Sequence, residues 1–566
     1  MLRHQRWLLL LALTYAVGCS KQEEIIASEA GPGADLVVIN ADVYTVDSET
    51  PRVEAFAVTS GKFVALGNTD EIEGQVGANT TVIDAKGRTV VPGFVDGHTH
   101  LSMGVRLVHG VDLYGIAEKD IWLERIAQRA SELGPGEWLM GGRWDHSLSN
   151  IPLPTRQDID SVVDDRPVAL QDVDGHSAWL NTKALELAGI TRDTKSPEGG
   201  EVQKDANGEP TGILKETAQT LIPDTQASLP ESRKLELIAQ AFQFANSKGI
   251  TSAHDMAGWR TLSQYENLLN NDQLSIRIFF GVTGGHARLE PARKLASEKQ
   301  ELAARVDDET KGPMLEFGYV KLVVDGVMST HTAVMLEPYA DAPGVLGIPT
   351  VSQEFLTKRV KAVNDVGFPV AIHAIGDHGV RMAFDAFEAS GAKGNRIEHV
   401  EMINPLDVAR FKELDVTASM NPHHAVTTFQ NYLTDRVGPE REANAYIWQT
   451  IKSSGAHLVL GSDWPTAPFA PLTQIWAAVH RTSPLPGRPG EPWRPQERLS
   501  LDEALYGLTM AGAIQSGWDE DIGSISQGKF ADFVLLDGTF ETPLQRDIDK
   551  MEVAATYLGG RVVYQK

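Results

Sequence analysis

The chain predicts an α/β fold: a (β/α)8 TIM barrel with a small β-sandwich built from both chain ends and a large insertion after barrel strand 1. Three observations lead there. Through the middle of the chain, short apolar strand-like runs alternate with helix-length stretches, as parallel βα units do. Both ends instead carry short runs of alternating apolar and polar residues broken by Gly and Asp. Finally, a set of His, Lys and Asp residues recurs where barrel strands would finish, the face on which barrel enzymes build their sites.

In chain order, Arg3 and Arg6 precede an apolar run over residues 7–17, too short to cross a bilayer. The run ends in Ala16-Val17-Gly18-Cys19, so residues 1–19 are expected to be a lipoprotein-type signal whose cysteine takes a lipid. That implies an exported protein, tethered on the periplasmic side of an outer membrane, or else soluble in the periplasm or secreted. Residues 20–33 then read as a polar tether. Cys19 is the only cysteine, which excludes an intrachain disulfide and a cysteine metal site. The net charge of −25 over 566 residues excludes a basic field for nucleic acid.

Residues 34–92 and 516–566 each hold an incomplete set of strands, and pairing with each other removes the exposed edges. Residues 93–515 hold the barrel. Its strands are predicted at 90–95, 249–253, 276–282, 319–324, 368–372, 396–398, 416–420 and 457–460. From His98 to Asp463 is 365 residues, against about 250 for a typical barrel. The stretch from about 115 to 245 supplies no barrel strand and reads as an insertion that caps the mouth.

The candidate ligands follow the strands. His98 and His100 lie two apart on an extended segment and point the same way. Lys321 ends Phe317-Gly318-Tyr319-Val320-Lys321 and runs into Leu322-Val323-Val324. A charged Lys is expensive to bury in such a strand. A lowered pKa, or capture of carbon dioxide to form a carbamate, removes that cost, and a carbamate is a bridging carboxylate. His373, His399 and Asp463 close later strands. Together the six make a ligand set for two divalent ions, and that arrangement points to hydrolysis. Two ions sharing a water lower its pKa enough to supply hydroxide near neutrality, and Asp463 is placed to accept its proton as the catalytic base.

With Val90-Val91-Pro92-Gly93-Phe94-Val95-Asp96-Gly97-His98-Thr99-His100 at its start and Gly523-Ser524-Ile525-Ser526-Gln527-Gly528-Lys529-Phe530-Ala531-Asp532 near its end, the chain resembles the amidohydrolase superfamily of binuclear, carbamylated-lysine type. Asp174-Gly175-His176-Ser177-Ala178-Trp179 and the Lys321 to Gly326 segment are similar to the branch called amidohydrolase family 3, which includes N-substituted formamide deformylase-like proteins. The resemblance implies one ion on His98, His100, carbamylated Lys321 and Asp463, and a second on the same carbamate with His373 and His399. Zinc suits this nitrogen and oxygen set, and manganese, iron or cobalt would bind it too.

Trp144, Asp145 and His176 in the insertion, and His254, Asp325, His331 and His423 near strand ends, are candidate substrate contacts. The expected reaction is cleavage of a non-peptide carbon–nitrogen bond in a small amide, formamide or cyclic amide. The same site could serve an esterase, a lactonase or a deaminase, although many deaminases place a Glu where Gly376 stands. Outside enzymes, the barrel could be the scaffold of a surface binding protein. The expected partners are a small-molecule substrate and, through Cys19, a membrane; a homodimer is also open to such a barrel.

Overall fold

A computed structural model describes residues 33–134, 136–145, 153–173, 177–197, 200–223, 225, 230–283, 311–427, 433–483, 491–540 and 548–566. The expected signal with Cys19, and the tether up to residue 32, lie outside the described residues. So does His176.

Eight parallel strands form one sheet: β1 (Phe94–Thr99), β2 (Ile250–Ala257), β3 (Arg277–Thr283), β4 (Leu315–Val323), β5 (Val370–Ala374), β6 (Arg396–His399), β7 (Thr417–Met420) and β8 (His457–Leu460). Neighbours in sequence are neighbours in the sheet, as in a TIM barrel. The seam closes just past β1 and β8. There Asp463 N donates to His98 O at 2.7 Å and His100 N to Trp464 O at 2.8 Å. Asp96 Oδ1 accepts from both His98 N (3.1 Å) and Ser462 N (2.9 Å). A side chain at Gly461 would put its Cβ 2.5 Å from His98 N, so only glycine lets the two strands come this close. Closure and ligand placement are therefore the same event in this fold.

The predicted first strand, residues 90–95, is two strands. Thr89–Pro92 pairs with Phe533–Leu536 and Asp42–Tyr44, and only Phe94–Thr99 enters the barrel. The break falls at Pro92-Gly93, where proline has no N–H for a ladder. A Cβ on Gly93 would lie 2.1 Å from Thr251 Oγ1.

The sandwich is composite. Thr89–Pro92 and Phe533–Leu536 pair antiparallel, joining the two chain ends in one six-stranded sheet. Facing it is a four-stranded sheet of Leu36–Ile39, Ala55–Thr59, Lys62–Gly67 and Thr81–Asp84. Phe56 and Phe533 meet between them at 5.0 Å, and Phe533 stacks on Tyr557 at 4.3 Å. Barrel and sandwich are tied by a buried pair in which Arg277 of β3 grips Asp532 through Nε (2.7 Å) and Nη2 (2.9 Å).

The insertion folds around its own six-stranded sheet, whose strands run from Val111–Asp112 to Pro210–Glu216. Trp122, Trp144 and Trp179 pack together in its core at 6.1 to 6.4 Å. Helix Glu231–Ser247, inside the expected insertion, instead buries Leu237, Ile238, Ala241, Phe242 and Ala245 in the barrel's apolar core. The compact insertion thus starts earlier and ends sooner than 115–245.

Candidate metal centre

Asp463 sits at the centre of the cluster, in left-handed backbone with φ 59°, just where the chain leaves β8. Its Oδ1 lies 3.2 Å from His98 Nε2 and 3.4 Å from His100 Nε2. Its Oδ2 lies 3.7 Å from His424 Nε2. Rings continue around the rim: His98 to His399 at 4.7 Å and His399 to His373 at 4.6 Å. Both groupings, His98–His100–Asp463 and His399–His424–Asp463, bring ligand atoms within 4.8 Å of one another.

Each imidazole is held from behind. His98 Nδ1 meets Glu398 Oε2 at 2.6 Å, His100 Nδ1 meets Met256 O at 2.9 Å, and His399 Nδ1 meets Asn421 Oδ1 at 2.9 Å. His373 Nε2 faces Gly326 O at 3.3 Å. In His98, His100 and His399 the Nε2 atoms are left as the lone-pair donors.

Burial, with the nearby Lys321 charge, pushes the proton affinity of His98 down and takes His373 to about 3. Burial and His373 hold His399 well below the ordinary histidine value. These rings are neutral at neutral pH, the state a cation needs. Burial alone would raise Asp463, but contacts from His100 and His98 outweigh it and keep the carboxyl ionised.

Lys321 points inward and is 5% exposed. Burial lowers its amine to about 8, and its charge acts on His98, His373 and His399 together. Among the described residues, Lys321 Nζ donates to the Met256 thioether at 3.1 Å, a weak acceptor. His98 Nε2 is buried and, among the described residues, makes no well-aligned hydrogen bond, although Asp463 Oδ1 stands 3.2 Å away. Neutral imidazoles, an ionised carboxylate and an amine of lowered basicity fit a divalent cation site, with nitrogen and oxygen as donors.

The second group of candidates separates. His254 is wholly buried, with Nδ1 on Arg396 (2.8 Å) and Nε2 on Gly512 O (3.1 Å). Both ring nitrogens are used within the barrel, so it does not face a substrate. Trp144 is likewise core, its indole N–H donating to Leu170 O at 2.9 Å, and half-buried Asp145 follows it. Asp325 accepts from Val334, Ile375 and Gly376 N–H at 2.9 to 3.0 Å and stands 3.8 Å from His373 Nε2, bracing the loop behind that ring. His331 pairs with Asp341 at 2.9 Å. His423 is buried, its ring 6.5 Å from Tyr114 of the insertion, while its neighbour His424 is the one that faces Asp463. Arg143, also from the insertion, reaches Pro465 O at 3.4 Å, which brings the insertion against the rim beside Asp463.

Sequence reasoning missed Glu398 and Arg396. Their signal was a charged pair on either side of Ile397 in a four-residue strand.

The amidohydrolase family profile matches residues 81–564. The chain belongs to the amidohydrolase family. It is 31% identical to protein LONG AFTER FAR-RED 3 of Arabidopsis thaliana, over 94% of this chain and 92% of that one. It is 26% identical to the N-substituted formamide deformylase of Arthrobacter pascens, over 94% and 98%. An uncharacterized metal-dependent hydrolase from Pyrococcus furiosus superposes with TM-score 0.69 at 28% identity, covering 88% of this chain and 98% of its own. This chain is thus an amidohydrolase whose rim offers side chains that could hold a metal ion.

Proposed function

We propose that this amidohydrolase cleaves the carbon–nitrogen bond of a small amide, formamide or cyclic amide, using two divalent ions, zinc by preference. His98, His100, Asp463 and a carbamate on Lys321 would hold one. The same carbamate with His373 and His399 would hold the other. The observation that carries this reading is Lys321 itself: an inward-facing lysine amid neutral imidazoles, its amine lowered to about 8. A neutral amine is the form that captures carbon dioxide.

When bound, the ions supply Lewis acidity, acidifying water and polarising the scissile carbonyl. Asp463 Oδ2, on the side facing His424, takes the proton of the attacking water and returns it to the departing nitrogen. Glu398, Met256 O and Asn421 keep three imidazoles in orientation. The insertion, through Arg143 and Tyr114, borders the rim and limits access of water and substrate. The formamide preference is drawn from similarity to the Arthrobacter enzyme.

The test is a screen of zinc-loaded protein across formamides, N-acyl amines, lactams, lactones and aryl esters. Turnover of an amide or formamide that is lost in Asp463→Asn supports the reading. Turnover confined to esters and lactones overturns the choice of bond. Export by a lipid on Cys19 belongs to the same proposal and is tested by incorporation of labelled palmitate, which Cys19→Ser should abolish.

A further inference from the structure

Barrel interiors are packed mainly by branched apolar side chains. Strand β6 breaks that rule: Arg396 and Glu398 lie two apart on one face, and both are 0% exposed. Burying such a pair seldom gains stability over apolar residues of similar volume. Stability therefore does not explain why the barrel carries it.

The contacts do. Arg396 Nε is 2.5 Å from Glu398 Oε1, and its Nη2 is 3.0 Å from Oε2. Nη2 also donates to Gly97 O at 2.6 Å and to Ser419 Oγ at 2.8 Å. Gly97 is the residue before His98, so one guanidinium fixes both the backbone of that ligand and the carboxylate behind its ring. Nη1 lies 2.8 Å from His254 Nδ1. Arginine cannot accept, so His254 accepts there and its Nε2–H donates to Gly512 O at 3.1 Å. The row ends at His98, whose Nδ1 sits 2.6 Å from Glu398 Oε2. An ionised carboxylate only accepts, which puts the His98 proton on Nδ1.

Resting on the metal reading above, we propose that Glu398, braced by Arg396 and His254, is a positioning residue that sets the tautomer and orientation of His98 and so governs affinity for one of the two ions. The barrel interior carries a row of five partners, Gly512 O, His254, Arg396, Glu398 and His98, whose purpose is the donor atom at its end. His254 belongs to this row rather than to the substrate wall.

The experiment is titration of the chelated protein with Co2+, followed by visible absorption. Glu398→Gln keeps the shape of the side chain but removes its charge. It should weaken one of two Co2+ ions by about 10- to 100-fold, the range for losing such a partner, with an altered absorption band. His254→Leu should weaken the same ion by a smaller factor. His254→Gln, which can accept from Arg396 and donate to Gly512 O, should restore wild-type affinity. A merely structural role would lower the melting point of the metal-free protein and leave Co2+ affinity and spectrum of the folded fraction unchanged.

Wild-type affinity for both ions in Glu398→Gln overturns the proposal. If that variant does not fold, the His254 pair decides: Leu and Gln variants that bind Co2+ alike overturn it, and rescue by Gln alone supports it. A wild-type chain that takes up no Co2+ overturns the metal reading itself, and this inference with it.

Discussion

Replacing Lys321 by Met should stabilise the metal-free chain, and by an amount that depends on pH. The amine falls from an ordinary 10.5 to about 8 in the fold, so between those values the unfolded chain binds more protons and folding stability rises with pH. Applied to one site, the linkage relation gives a cost of about 3 kcal/mol at about pH 7 and about 1 kcal/mol at about pH 9.5. Lys321→Met carries no such cost, and the swap roughly conserves volume. The variant should therefore be more stable than wild type near neutrality, with the gap shrinking by about 2 kcal/mol at about pH 9.5. Urea denaturation of both chains after chelation, in buffer freed of carbon dioxide, measures the gap. An equal gap at the two pH values, or a wild type that is the more stable near neutrality, would refute the claim that this lysine is buried at a cost which a carbamate relieves.

Other consequences follow from particular contacts. Asp463→Asn should keep the fold but lower kcat about 10^2- to 10^4-fold, the usual span for a lost general base; a rate near wild type counts against Asp463 as proton carrier. Lys321→Ala should lose activity and regain part of it with added formate or acetate, since a free carboxylate can fill the space of the carbamate; no response to either acid argues against a bridging carboxylate. Asp532→Ala leaves the guanidinium of Arg277 buried without its anion, which should cost about 3–5 kcal/mol by denaturant midpoint without changing metal stoichiometry. Trp144→Ala should destabilise the protein by about 3–5 kcal/mol, as a core residue would, rather than shift KM alone.

Much of the centre was legible because strand ends are legible. An apolar run stops, a His, Lys or Asp follows, and the parallel order places those residues on one rim. Where the backbone leaves the extended path, alternation stops guiding the eye. His399 has φ 75° and Asp463 φ 59°, and after β7 the chain turns at once into a short helix beginning at His424. Which of His423 and His424, both well placed after the seventh strand, enters the site thus had no periodic signal to rest on, and His424 is the one facing Asp463.

The interior row was hidden for another reason. Arg396, Glu398 and His254 are polar residues inside a barrel, and a sequence shows a charged residue on a strand without showing which partner neutralises it. The split at Pro92-Gly93 was legible in principle, because proline and glycine together interrupt a ladder. Trp144 is a candidate contact because the insertion could bring it over the rim, yet its side chain packs in the insertion's own core.

The central claim is a two-ion centre that includes Lys321. Metal content of protein loaded with zinc in bicarbonate buffer and then desalted tests it most directly, wild type beside Lys321→Met. Two ions per chain in the wild type and fewer in the variant is the predicted result. The same content in both chains, or none in either, would contradict it.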